Sequence, residues 1–138
     1  MKLDLECVRD ILLLIEAKRN FSVNEAGCVE LDPISMHEIW KALPDRDNAD
    51  IAYSLELLDE AGFIDMSTLD ADGAMVEAFI TRLTFQGHEY LEAIRPETVW
   101  KKTTSVLSKI GSFSLDLVKD VASSILSDMA KGFLGIGQ

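Results

Sequence analysis

Two runs of alternating residues, Phe63 to Leu69 and Val76 to Leu83, flank the stretch Asp70-Ala71-Asp72-Gly73. The second run passes straight into a helical pattern, "ITRLTFQGHEYLEAIR", Ile80 to Arg95. Alternation sends successive side chains to opposite faces of a strand, and an Asp-Gly pair between two such runs marks a hairpin. Thr84 ends the second strand and is placed to cap the helix that follows, whose inner face is expected to carry Phe85, Tyr90, Leu91 and Ile94. The abrupt switch lets the apolar residues of strand and helix share one core.

Three helices are expected upstream of this hairpin. In "LDLECVRDILLLIEAKR", Leu5, Val8, Ile11, Leu12 and Ile15 recur at the three-and-four spacing of one helix face, with Asp4 as cap. "NFSVNEAG" breaks that pattern, and Cys28 to Asp32 reads as a short strand. In "PISMHEIWKALP", Ser35 and Glu38 stand at capping-box spacing, Ile34 and Ile39 at staple spacing, and Pro44 closes the helix. In "DNADIAYSLELLDEAG", Asp47 or Asn48 is the cap, Ile51, Leu55 and Leu58 line the inner side, and Gly62 is the stop. Ile51, Leu55 and Leu58 are expected to be buried with Ile11, Ile15 and Leu91.

Helix, short strand, helix, helix, hairpin, helix is the order of a winged helix-turn-helix, in which the hairpin is the wing. The fold expected is therefore α+β, mainly α, with a two-stranded wing in residues 1–95. A C-terminal helical extension fills residues 96–138. "LLDEAGFI" followed by "LTFQGHEYL" resembles a pattern common to many bacterial winged-helix proteins. Together with "MKLDLECVRDILLLIE" and "LTFQGHEYLEAIRPETVWKKT", the chain resembles an uncharacterised family of bacterial and phage proteins, a domain of unknown function. That resemblance spans roughly Met1 to Thr103. It implies a winged-helix fold and brings no functional residues with it.

Charge complicates the function that such a fold suggests. The 138 residues carry a net charge of −11, with 48% hydrophobic and 27% charged residues. Residues 1–95 hold eight Lys/Arg against 20 Asp/Glu, and residues 96–138 five against four. Affinity for duplex DNA comes mostly from Lys and Arg at phosphates, so this balance argues against general DNA coating. Within the third helix, Asn48, Ala52 and Tyr53 are the candidates to face a DNA groove, and Arg46 is the candidate phosphate contact. Asp45, Asp47, Asp50, Glu56, Asp59 and Glu60 crowd the same helix, and Asp70, Asp72 and Glu77 stand where a wing would insert basic residues.

Catalytic chemistry finds no foothold in the sequence. His37 and His88 have no second ligand at zinc spacing and read as partly exposed helix residues. Gly132, Gly135 and Gly137 precede no helix and make no phosphate loop. No Ser sits in a nucleophile context. No catalytic residue, cofactor or metal is expected, and Cys7 and Cys28 read as reduced, buried thiols of a cytoplasmic protein. The start of the chain is too charged for a signal peptide, and no apolar run reaches the ~20 residues that span a bilayer.

The extension offers a different kind of surface. "PETVWKKTTSVLSKIG" is expected as one helix with Val99, Val106 and Ile110 apolar. The next segment carries Leu117, Val118, Val121, Ala122, Ile125, Leu126 and Met129 as a broad apolar stripe that must be covered. Leu117, Val121, Ile125 and Met129 are the candidates for self-association. A membrane-lying helix carries a Lys/Arg-rich polar face, and this one does not. Gly132 to Gln138 are expected to hold no helix. The leading function is a DNA-binding regulator linked to phage or mobile elements, acting as a dimer. The alternative is a non-enzymatic acidic adaptor that binds a protein partner.

Overall fold

The computed structural model of the protein describes residues 1–111 and 113–135. The chain divides into two compact units, Met1–His88 and Glu89–Gln138, with the division falling inside a helix. The architecture is α+β and mainly helical, with small antiparallel sheets.

In the first unit, α1 (Leu5–Ala17) starts at Asp4, whose carboxylate accepts from the Cys7 N–H at 3.1 Å. Its buried face is Leu5, Cys7, Val8, Ile11, Leu12 and Ile15, so the three-and-four spacing was the right guide. α2 (Met36–Ala42) is capped by Ser35, whose hydroxyl accepts from the Glu38 N–H. Glu38 itself turns outward to the Lys18 ammonium at 3.2 Å. α3 (Asn48–Glu60) is capped by Asp47, which accepts from the N–H groups of Ala49 and Asp50. Gly62 follows it at φ +76, a left-handed position that ends a helix at little cost only for glycine. α1 packs on α3, and Ile11, Ile15, Ile51, Leu55 and Leu58 are all buried. Leu91 is also buried.

The strands go beyond the sequence expectation. β1 (Phe21–Val23) and β2 (Val29–Leu31) form a small antiparallel hairpin. "NFSVNEAG", expected only to break a helix, therefore supplies one of its strands and its turn. Asn24 organises that turn, its side chain accepting from the N–H groups of Ala26 and Cys28 at 3.0 Å each. β3 (Ile34–Ser35), β4 (Ile64–Ala71) and β5 (Ala74–Leu83) make a second sheet in the order β3-β5-β4. The two alternating runs pair antiparallel as expected, Ser67 opposite Phe79 and Leu69 opposite Glu77. The connection is a two-residue turn with φ +52 at Asp72 and +78 at Gly73, the double positive that Asp-Gly tolerates.

α4 (Phe85–Ile94) begins without a pause after β5, and Thr84 fixes its start. The Thr84 N–H donates to the Phe63 carbonyl at 2.9 Å, and its hydroxyl donates to the Gly62 carbonyl at 2.5 Å. The same hydroxyl accepts from the Gly87 N–H at 3.1 Å. Tyr90, Leu91 and Ile94 are buried, but Phe85 is 77% exposed, against the sequence expectation. The reason is angular. At 3.6 residues per turn Phe85 lies about half a turn from the mean direction of Tyr90, Leu91 and Ile94, and Gly87 holds the place on that buried face.

In the second unit, α5 (Glu97–Ile110) and α6 (Leu115–Leu134) pack on each other as a helical hairpin. α5 buries Val99, Trp100, Thr103 and Leu107, with the Thr103 hydroxyl bonded to the Val99 carbonyl at 2.7 Å. Of the apolar residues expected on this helix, Val99 is buried, whereas Val106 and Ile110 are exposed. Val106 lies about 20° from Val99 at the edge of the buried arc, and Ile110 is the last residue of the helix, so neither is covered. α6 buries only Val118 and Ala122 from its stripe. It also runs through Gly132 to Leu134, ending at Gly135 with φ +69, so the expected loss of helix at Gly132 does not occur. Ile136, Gly137 and Gln138, part of the same expectation, lie outside the described residues, as does Ser112.

Candidate functional site

α3 presents carboxylates on its exposed side, and the β4–β5 hairpin adds two at its tip beside exposed Leu69 and Val76. Asp45, Asp47, Asp50, Glu56, Asp59 and Glu60 are all exposed on or beside α3, and Asp70 and Asp72 are exposed at the hairpin tip. Asn48 is exposed in the first turn of α3, whereas Ala52 and Tyr53 are half-buried one turn later.

Arg46, the one basic residue in the α2–α3 connection, is committed inside the protein. Its Nη2 donates to Asp10 at 2.8 Å and its Nε to the same carboxylate at 3.2 Å, with Asp4 at 3.5 Å from Nη1. The side chain is 26% exposed. Burial works against its charge, but the hydrogen bond and the charge of Asp10 overcome it, and the guanidinium is held still more firmly protonated than usual. Arg46 thus ties the α2–α3 connection to the beginning of α1. Beneath the clamp lies Cys7, fully buried, its thiol pushed up by burial against the opposing pull of Ser54 and Arg46. Cys28, expected to be buried, is exposed, and both cysteines are free thiols. It sits in the turn before β2, where no layer covers it.

Two other basic groups of this unit are paired, whereas Lys41 stands exposed in the last turn of α2. Arg82 pairs with Asp65 across β5 and β4 at 2.8 Å, and Lys18 pairs with Asp32 and Glu38. Glu77, one of the acidic residues expected where a wing would insert basic ones, is only 19% exposed and meets His37 Nδ1 at 2.5 Å. Burial raises the Glu77 carboxyl, but the Ala78 N–H and His37 together outweigh it and hold the group below its usual range. The His37 ring also stands against Trp40, centroids 4.5 Å apart. His88 is exposed on α4. Among the described residues, no group of three or more His, Cys, Asp or Glu is disposed to hold a metal ion.

Two surfaces escaped the sequence reading. One is the β1–β2 hairpin, where Phe21 stands opposite Leu31 and Val23 opposite Val29, all four exposed and on one face. The period-two patterns Phe-Ser-Val and Val-Glu-Leu on either side of Asn24–Gly27 were the available signal. The other is the groove beside Val106 on α5. The self-association candidates Leu117, Val121, Ile125 and Met129 are each half-buried on α6. Val106 and Ile125 line the same groove between α5 and α6. Among the described residues, no helix is long and apolar enough to cross a membrane.

Comparison with known proteins adds a family. Residues 2–114 match the family described as Hypothetical protein (DUF2513). The match ends at Ser114, the residue that caps α6, so the long C-terminal helix lies beyond it. The chain is 36% identical over 118 residues to an "Uncharacterized protein" of Haemophilus influenzae, an alignment that covers 81% of this chain and 98% of that protein. No solved structure matches the chain. A family match over most of the sequence, joined to a relative at this identity, makes the chain a member of the DUF2513 family.

Proposed function

We propose that this chain is a winged helix-turn-helix domain whose α3 face docks a basic protein surface, a non-enzymatic acidic adaptor. The fold reading rests on the order α1, β3, α2, α3, β4, β5, with the β1–β2 hairpin inserted between α1 and β3, and on the strand order β3-β5-β4. In it, α2 and α3 are the helix-turn-helix and β4–β5 is the wing. The observation that carries the adaptor reading is the carboxylate cluster on α3 together with the commitment of Arg46 to Asp10 and Asp4. Duplex DNA presents one negative charge per about 1.7 Å of axis, and a face of this sign repels it. The same face attracts a partner rich in Lys and Arg, and such complementarity speeds encounter and fixes orientation.

A second reading, a DNA-binding regulator linked to phage or mobile elements, is favoured by one feature. Asn48 is exposed in the first turn of α3, where a recognition helix approaches base edges. Two assays separate the two readings. Affinity capture with chemical cross-linking is run on the wild type and on Asp50→Lys/Glu56→Lys. The adaptor reading expects a partner that cross-links to α3 through a basic segment and is lost from the variant. A sequence-selective mobility shift with DNA, abolished by Asn48→Ala, supports the regulator instead.

A further inference from the structure

We propose that the α5–α6 hairpin is a self-complementary interface in which α5 of one copy lies over α6 of a second copy, forming a four-helix bundle about a two-fold axis parallel to the helices. The two helices leave a shallow groove between them. One part, about 440 Å³, is lined by Lys101, Lys102, Ser105, Val106 and Ile125. The adjoining part, about 400 Å³, is lined by Val106, Asp120, Val121, Ser124 and Ile125. Val106 and Ile125 belong to both and form the apolar centre. Ile110, 59% exposed, extends the floor one turn along α5.

The two rims of this groove have opposite sign. Lys102 and Lys109, seven residues apart, share one edge of α5. Asp120, Ser124 and Asp128, at spacings of four, share the outer edge of α6. Because the helices are joined by a short connection and run antiparallel, Val106 stands level with the region between Val121 and Ile125. Counting outward from there, Lys102 is level with Asp128, and Lys109 is level with Asp120. A rotation about an axis along the helices preserves these heights and exchanges the two sides. It sets Lys102 against the Asp128 of the second copy, and Lys109 against its Asp120, four cross-pairs in all. The perpendicular in-plane axis would stack lysine edge on lysine edge.

This pattern selects its occupant. An acidic peptide or an anionic bilayer is attracted by the lysine rim and repelled by the aspartate rim at the same heights. Only a surface with both signs in mirrored order satisfies both rims, and a second copy carries that surface by construction. Among the described residues, Lys102, Lys109, Asp120 and Asp128 have no ion-pair partner within the chain. Charge balance points the same way. Residues 89–138 hold six acidic and six basic side chains, whereas residues 1–88 hold 18 acidic against seven basic. The interface does not depend on what the α3 face binds.

The test is light scattering on the full-length protein at tens of micromolar. The wild type is expected at twice the mass of one chain. Lys102→Glu/Lys109→Glu and Asp120→Lys/Asp128→Lys are each expected to weaken self-association by about tenfold or more and to elute as monomers. All four positions are solvent-exposed, and an unchanged circular dichroism spectrum verifies that the variants fold. Mixed one to one, the two variants are expected to recover the dimer, because each rim then meets its opposite. The proposal is overturned by a monomeric wild type, by a dimer that either reversal leaves intact, or by a mixture that stays monomeric. A wild-type monomer that co-floats with phosphatidylglycerol vesicles overturns it as well and assigns the groove to a membrane.

Discussion

Replacing Gly87 by Ala tests how the first unit is closed. A methyl group built at Gly87 would sit 2.1 Å from the Phe63 carbonyl oxygen, 3.0 Å from its carbon and 3.3 Å from its Cα. Those atoms are backbone at the start of β4 and cannot rotate aside. Relief requires the start of α4 to retreat by more than ~1 Å to reach ordinary van der Waals separation. That retreat stretches the Thr84 N–H to Phe63 bond at 2.9 Å and the Thr84 hydroxyl to Gly62 bond at 2.5 Å. Overpacking costs about 1–3 kcal/mol, and each weakened hydrogen bond about 1 kcal/mol. The higher helix propensity of Ala returns about 1 kcal/mol. The net loss expected is about 2–4 kcal/mol, a fall in melting temperature of roughly 6–15 °C for a chain of this size. Thermal and urea unfolding followed by circular dichroism measure it. Gly132→Ala in α6 is the control, since nothing lies within 4 Å of its methyl position, and it should be neutral or slightly stabilising. A Gly87→Ala protein as stable as the wild type would refute the close approach of α4 to Phe63.

Leu58→Ala, at a fully buried position of α3, is expected to cost about 2–5 kcal/mol in urea unfolding. Arg46→Ala is expected to cost about 1–3 kcal/mol, because it leaves Asp10 without the two hydrogen bonds that hold the α2–α3 connection to α1. Glu77 is held below its usual carboxyl range in the folded state, so its contribution to stability is present above the ordinary glutamate pKa and lost as pH falls through the lowered one. Glu77→Gln should therefore narrow the gap in stability between neutral and acid pH, read from unfolding at a series of pH values. Native protein should react with one equivalent of a thiol alkylating reagent, at exposed Cys28, and with a second at Cys7 only after denaturation.

Much of the architecture was legible because it is written in short-range patterns. Ser35, Asp47, Gly62 and the Asp72-Gly73 turn specify local geometry through side-chain capping or positive φ, and each does so in the structure. What could not be read depended on long-range pairing. β3 is two residues long and exists only because Ile34 and Ser35 meet Ile80 and Phe79 of β5. The commitment of Arg46 arises from carboxylates 36 and 42 positions away, which no local pattern links to it. Phe85 was misassigned for a different reason. Its hydrophobicity signals burial although its angle on the helix does not, and Gly87, with no side chain to signal burial, occupies the inner face. On α5, Val99, Val106 and Ile110 fall on one narrow stripe, and which of them a second helix covers depends on packing that no local pattern records.

The adaptor proposal requires that the carboxylates of α3 turn this face from nucleic acid toward a basic protein surface. The most direct measurement is a fluorescence anisotropy titration of duplex DNA at roughly 50 mM salt, where phosphate contacts are strongest. The wild type is expected to show no binding at tens of micromolar protein, and Asp50→Lys/Glu56→Lys is expected to gain weak, salt-sensitive, sequence-independent binding. A wild type that binds DNA with a sequence preference erased by Asn48→Ala would contradict the claim.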